Sequence, residues 1–342
     1  VYYRTDGGTP TRNPDYTAGA GTTRATLSAG STPVTLPTAE GSYTVKYFAT
    51  DYVGNDETVK AATAIVVDNG APTIGTVTAA SATNASLQGS GSPFTVYYRS
   101  AVAGSLTVSV PASDSGSGVQ KVTFPAIGTS GWTHASENVT GSSPYVSSAY
   151  AWTAAPSNPA DQTLTVTDNS NNPATAILTF VADDSAPSAG TIAYTAGYNA
   201  GSVPVTLTDG TDTGSGLDIA SRTLWRMTGT LSGGSCDYTA LSYVVLVSGV
   251  GLSHTDTTIA NGNCYRYRVS IADRVGNVAT SAAGGDVKVD TAAPGTATLD
   301  PIVPSTVTTS SPNRILTGIG LDSGSGVASI SYYRCTGSCL LY

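Results

Sequence analysis

Aspartate is the residue type in this chain whose spacing could do chemistry. Three aspartates open near-identical Gly/Ser turns: Asp114-Ser-Gly-Ser-Gly118, Asp212-Thr-Gly-Ser-Gly216 and Asp322-Ser-Gly-Ser-Gly326, followed by Val119, Leu217 and Val327. Three more open a second turn: Asp51-Tyr-Val-Gly-Asn55, Asp168-Asn-Ser-Asn-Asn172 and Asp273-Arg-Val-Gly-Asn277. A third set ends a strand pattern four residues before a proline: Asp68 to Pro72, Asp183 to Pro187 and Asp290 to Pro294. Carboxylates gathered at a hinge are the hard oxygen ligands that calcium takes. Asp68, Asp183, Asp184 and Asp290 are therefore the candidate ligands of interdomain calcium, and Asp51, Asp168 and Asp273 could converge on them. The alternative is that each carboxylate accepts backbone N–H bonds and fixes its own turn. No other cofactor is implied.

Other chemistry has little material. The two histidines, His134 and His254, stand in no metal or nucleophile motif, and no His-Glu-x-x-His, phosphate-loop or Gly-x-Ser-x-Gly pattern is present. The chain reads as a non-enzyme, with no catalytic residues. The four cysteines pair by proximity as Cys236 with Cys264 and Cys335 with Cys339, each closing a short loop. Cys335-Thr-Gly-Ser-Cys339 lacks the second ligand pair of a zinc site, so disulfides and an oxidising compartment are expected. Lys46, Lys60, Lys121 and Lys288 do not recur at one repeat position, which argues against lysine cross-links within each repeat. Trp132, Trp152 and Trp225 are expected as core or interface anchors rather than a sugar platform.

The elements that must hold these residues are strands. Of 342 residues, 52 are Thr, 41 Ser and 38 Gly, while only 11% are charged. Strong helix formers are scarce and Thr favours strands, which points to an all-β chain. The net charge of −8 offers no basic surface for nucleic acid. No apolar stretch approaches the length of a membrane-spanning helix. Period-two alternation marks half-buried antiparallel strands. Tyr43, Val45, Tyr47 and Ala49 form one face against Thr44, Lys46, Phe48 and Thr50; Tyr265, Tyr267, Val269 and Ile271 form another against Arg266, Arg268 and Ser270. Gly and Asn after the strands supply the positive φ that tight turns need.

The junction prolines lie 115 and 107 residues apart. That period is one whole sandwich rather than a solenoid turn. On these turns and Asp-x-x-x-Pro junctions, the chain resembles tandem bacterial immunoglobulin-like (Big/Ig-like) repeat domains of large extracellular or cell-surface proteins. The resemblance covers nearly the whole chain. It implies an all-β fold, tandem immunoglobulin-like β-sandwich domains in an extended array, with an extracellular or cell-surface location. The second repeat departs from the pattern: Asn171 stands where the others have Gly. About 15 extra residues also lie between Pro72 and Asp114, predicting a hairpin or edge strand around Phe94 to Arg99.

The expected divisions are a partial domain (1–70, the late part of a repeat), a domain with an insertion (71–185), a complete domain (186–292) and a second partial domain (293–342, the early part). Tyr2-Tyr3-Arg4 and Tyr332-Tyr333-Arg334 lie 330 residues apart, three periods, so both ends fall at one phase of the repeat. Two explanations stay open. The chain is a window of a longer array, or the early half of one copy completes the late half of the next, head to tail. The function read from this is structural: a stalk or extracellular filament subunit of the bacterial exterior. The partners are copies of itself or the rest of a longer chain. The alternatives are an adhesin or carbohydrate-binding module facing cell-surface glycans, and an accessory region of a secreted enzyme.

Overall fold

In a computed structural model the described residues are 1–27, 30, 31, 33–301 and 317–332. They build strands and turns only, in two compact units, Val1–Asp184 and Ser185–Tyr342. No helix among them is long and apolar enough to cross a membrane.

The first unit begins with a four-stranded sheet ordered Thr23–Arg24, Tyr2–Arg4, Lys46–Phe48, Lys60–Ala61, beside the pair Gly41–Tyr43 and Ile65–Val67. The predicted 43–50 alternation is interrupted. The strand breaks at Thr44 and Val45, and Phe48, on the face read as polar, is buried and stacks on Tyr2 at 5.1 Å. Val45 and Phe48, read as lying on opposite faces, are thus both buried.

The rest of the first unit is a β-sandwich. A six-stranded sheet runs Glu137–Val139, Val119–Phe124, Gln162–Asp168, Pro173–Ala182, Phe94–Tyr98, Ala85–Gln88. Its apolar face shares one buried cluster with a second sheet centred on Gly104–Val110. Val96, Val122, Leu164 and Leu178 come from the first sheet, and Leu106, Val108, Trp132 and Tyr150 from the second. Trp132 and Trp152 lie in this core, 4.9 Å apart, with the indole N–H of each donating to backbone carbonyls. Full burial of such side chains supplies the main driving force for closing the sandwich. The extra residues after Pro72 make a hairpin of Ala85–Gln88 with Phe94–Tyr98. The edge strand is Ala85–Gln88. Phe94–Tyr98 lies inside it, pairs in parallel with Pro173–Ala182, and buries Phe94, Val96 and Tyr98.

The second unit repeats the plan. Gly197–Asn199, Val287–Val289, Asn263–Asp273 and Leu217–Ser232 are consecutive in a seven-stranded sheet, faced by Thr191–Ala193, Val203–Thr208 and Ser253–Asp256. Here the alternation holds: Tyr265, Tyr267, Val269 and Ile271 are buried, with Arg266 and Arg268 on the other side. Val203, Val205 and Leu207 close on Tyr265, Tyr267 and Val269 from the opposite sheet. Gly197–Asn199 pairs in parallel with Val287–Val289, so both complete sandwiches carry the same parallel strand pair. Cys236 and Cys264 are joined by a disulfide across the intervening strand. Cys335 and Cys339 lie outside the described residues. Beyond this sandwich, Thr298–Leu299 pairs with Gly318–Ile319.

Candidate functional site

The recurring turns are built as their sequences require. In the Asp-x-Gly-Ser-Gly turns one carboxylate oxygen accepts two amide N–H groups. Asp114 takes Gly116 and Gly118 at 3.1 and 2.7 Å. Asp212 takes Gly214 and Gly216 at 3.0 and 2.6 Å, and Asp322 takes Gly324 and Gly326 at 2.7 and 3.3 Å. The second turn uses both oxygens. Asp168 accepts the amides of Ser170 and Asn172 and the Asn172 side-chain N–H; Asp51 and Asp273 do the same with their own turns.

The fourth position of that turn has φ of +93° at Gly54, +94° at Gly276 and +71° at Asn171. Asparagine is the side chain that best tolerates this region, which explains the departure at Asn171. Asn171→Gly is therefore expected to leave stability unchanged or slightly higher, while Asn171→Val costs about 1–2 kcal/mol. Urea denaturation of the two variants checks this, and equal midpoints for Gly and Val would refute it.

In the first unit the three signatures meet in one knot. Carboxylate oxygens of Asp68, Asp114 and Asp168 all lie within 4.8 Å of one another. Asp68, at the end of Ile65–Val67, accepts the Gly70 amide at 3.0 Å and reaches the Ser117 amide at 2.8 Å. The Asn172 side chain donates to the Asp68 carbonyl at 3.1 Å, and Asn169 donates to the carbonyls of Ser117 and Gly118. Hydrogen bonds from Ser117 hold the Asp68 carboxyl below the ordinary carboxylate range. A Cβ on Gly116 would stand 2.4 Å from Asp68 Cγ, so this glycine is required by the close approach of the junction carboxylate.

The second unit uses the same parts. Asp290 accepts the amides of Ser325 at 2.6 Å and Ala292 at 3.0 Å, and a Cβ on Gly324 would stand 2.5 Å from Asp290 Cγ. Hydrogen bonds from Ser325 lower the Asp290 pKa in the same way. Arg274 N–H donates to the Gly216 carbonyl as Asn169 N–H does to Gly118, tying second turn to first in both units.

Within the first unit, Asp68 and Asp168 come together. Asp184 does not join them. It accepts the Ala101 amide at 2.8 Å and a short hydrogen bond from Ser100. Asp183 is buried at the end of its strand, its N–H on the Tyr98 carbonyl. Asp114, singled out in the sequence only for its turn, is the third carboxylate of the knot. Chemically, the knot offers three carboxylates beside a cleft of about 390 Å³ that Glu40 also lines. Their oxygens already accept N–H groups, but each retains lone-pair capacity, and an oxygen-only set suits a divalent cation.

The histidines do other work. His134 stacks on Tyr150 at 3.6 Å, donates from Nδ1 to the Pro125 carbonyl at 2.9 Å and meets Glu137 at 3.3 Å. His254 is half-buried in a strand opposite Val205. Neither faces a nucleophile, and no catalytic constellation is present among the described residues.

These sheets define an all-β chain of successive β-sandwiches. No protein-family model matches the chain, and no curated protein matches it. Solved structures do. Chicken CNTN1 FN1-FN3 domains are 16% identical, covering 75% of this chain and 79% of that one, at a TM-score of 0.27. Domains from titin are 11% identical, covering 73% of each chain, at 0.32. DIP-gamma IG1+IG2 is 11% identical over 57% of this chain and 91% of that one, at 0.20.

Proposed function

We propose that this chain is a section of a structural array on the bacterial cell exterior, a stalk or filament shaft made of successive sandwiches. The observation that carries the reading is the knot. The last residue of one repeat is hydrogen-bonded into the first turn of the next at both Asp68 and Asp290. A junction fixed through a carboxylate and a close-fitting glycine resists bending better than a free linker, and stiffness is the property a spacer needs. The reading divides the chain at 1–70, 71–185, 186–292 and 293–342. Electron microscopy of native material is expected to show rods or fibres; short isolated particles would count against it.

Calcium belongs to the same reading as a stiffener of the junction. Asp68, Asp114 and Asp168 would hold it in the first unit, and their mutual repulsion would fall when it binds. The melting temperature is then expected to rise with added Ca²⁺ and to return in excess chelator. An unchanged melting temperature across both conditions would remove the ion and leave the hydrogen-bonded knot as the whole device.

A further inference from the structure

The seven-stranded sheet of the second unit has an unguarded edge. Val244–Ser248 pairs on one side with Leu217–Ser232, and no described strand takes its other side. The stretch from Leu241 to Leu252 contains no charged residue and no proline. A register shift opposite Leu224 and Trp225 bends the edge, but the charges and prolines that commonly guard a free edge are missing. Leu241, Val244, Val245 and Leu252 are between 47% and 57% exposed, as is Ile219. Ile219 precedes Ala220, whose carbonyl a Cβ on Gly249 would meet at 3.8 Å, so it belongs to the same edge. An exposed apolar surface of this extent marks a contact.

The two ends of this edge carry opposite charges that nothing neutralises. At the start of the strand, Arg268 reaches across Trp225 to Tyr243. Its guanidinium carbon stands 5.7 Å from the Trp225 ring centre and 4.0 Å from that of Tyr243. Arg222, Arg226 and Arg266 each meet a carboxylate. Arg268 meets none among the described residues, and its Nε is buried without a hydrogen-bond partner there. Stacking on aromatic rings therefore holds this cation in place with no anion beside it. Toward the other end, beyond Gly249 and Ala220, stands Asp218. Its carboxylate accepts the Ala220 amide at 3.1 Å and pairs with no cation among the described residues. Asp218 lies opposite Ala272, four residues on from Arg268 in one strand, so both charges belong to the same face of the sheet.

We infer that this edge is the docking surface for the same edge of a second copy of the chain. Two copies of Val244–Ser248 pair antiparallel about a two-fold axis and extend the sheet through both chains. That axis turns the strand end for end and keeps each face on its own side. Arg268 of each copy therefore comes to the end of the edge that carries Asp218 in the other. The uncharged strand meets its own copy without repulsion, the end charges attract, and the exposed apolar side chains cover one another. The contact joins like surfaces and closes at two. It lies along the side of a sandwich, so within an array it ties neighbouring shafts laterally, and it holds for a single chain whether or not the array reading does.

Sedimentation of the full chain tests the pairing. The wild type is expected as a concentration-dependent dimer that grows no further. Val245→Lys puts a charge on the edge at an exposed position, and should give monomers with an unchanged melting temperature. Asp218→Arg and Arg268→Glu should each raise the dimer dissociation constant by about tenfold or more, because each sets like charges together at both ends of the contact. Combining the two exchanges restores opposite charges and should return the constant to that of the wild type. If Arg268→Glu fails to fold, Arg268→Gln replaces it and should weaken the dimer without the charge clash. A wild-type chain that stays monomeric would overturn the pairing and leave the edge to a strand of another protein. So would assembly past dimers, a dimer that survives Val245→Lys, or a combined exchange that binds no better than either exchange alone.

Discussion

Replacing Arg226 with Met is expected to destabilise the second unit by about 3–5 kcal/mol, the usual cost of breaking a buried pair from one side. Asp256 is 1% exposed and lies in the core beside Tyr267. Its Oδ2 accepts from Arg226 at 2.8 Å and from the Tyr267 hydroxyl at 2.9 Å, while Oδ1 accepts the Thr258 amide and hydroxyl at 2.9 and 2.7 Å. Burial by itself would raise this carboxyl. The hydrogen bonds from Thr258, Arg226 and Tyr267 outweigh it and leave the pKa below the ordinary value.

The sign follows from that depression. The folded form binds the proton less readily than the unfolded chain, so Asp256 contributes stability above the unfolded carboxyl value of about 3.9 and loses it as pH falls through the lower folded value. Removing the guanidinium lets burial dominate and pushes the carboxyl upward. The variant's deficit should then be largest near neutral pH and shrink in acid. Hydrogen exchange of the Val203–Thr208 amides, which pair with the strand holding Asp256, reads this directly. A loss below about 1 kcal/mol at neutral pH, in the range of ordinary surface changes, would show that the carboxylate is not held as described.

Removing the Cys236–Cys264 disulfide should cost about 3–4 kcal/mol. The bridge closes a separation of 28 residues, and loop closure of that size removes substantial entropy from the unfolded chain. Cys264 is fully buried in the central strand. Calorimetry of the Cys236→Ala, Cys264→Ala double variant is expected to show the transition of the second unit lowered by on the order of 10 °C. The first unit, which contains no cysteine, should melt unchanged and acts as an internal control. A shift of both transitions, or of neither, would contradict the assignment.

Legibility in the sequence divides along the range of the interactions. Asp168-Asn-Ser-Asn-Asn172 folds its turn from within five residues, so the turn was legible in the sequence, while the amides that Asp168 accepts and the positive φ of Asn171 came from the structure. The Tyr265, Tyr267, Val269 and Ile271 stripe likewise follows from period two, since alternate side chains of a strand share a face. The Tyr43–Thr50 stretch reads less well because its strand is broken and Phe48 finds a partner in Tyr2, which no local pattern announces.

What only the tertiary structure decided is which local pieces share a place. Asp68, Asp114 and Asp168 each satisfy a turn of their own. Their convergence depends on the packing of two repeats, and on a glycine at 116 whose need is invisible until Asp68 arrives beside it. The parallel pairing of Phe94–Tyr98 and the burial of Asp256 with Arg226 have the same origin. The sequence determined strands, turns and their period, because those rest on neighbouring residues. The tertiary structure determined the knot and the buried ion pair, because sheet pairing and apolar burial act between residues far apart in the chain.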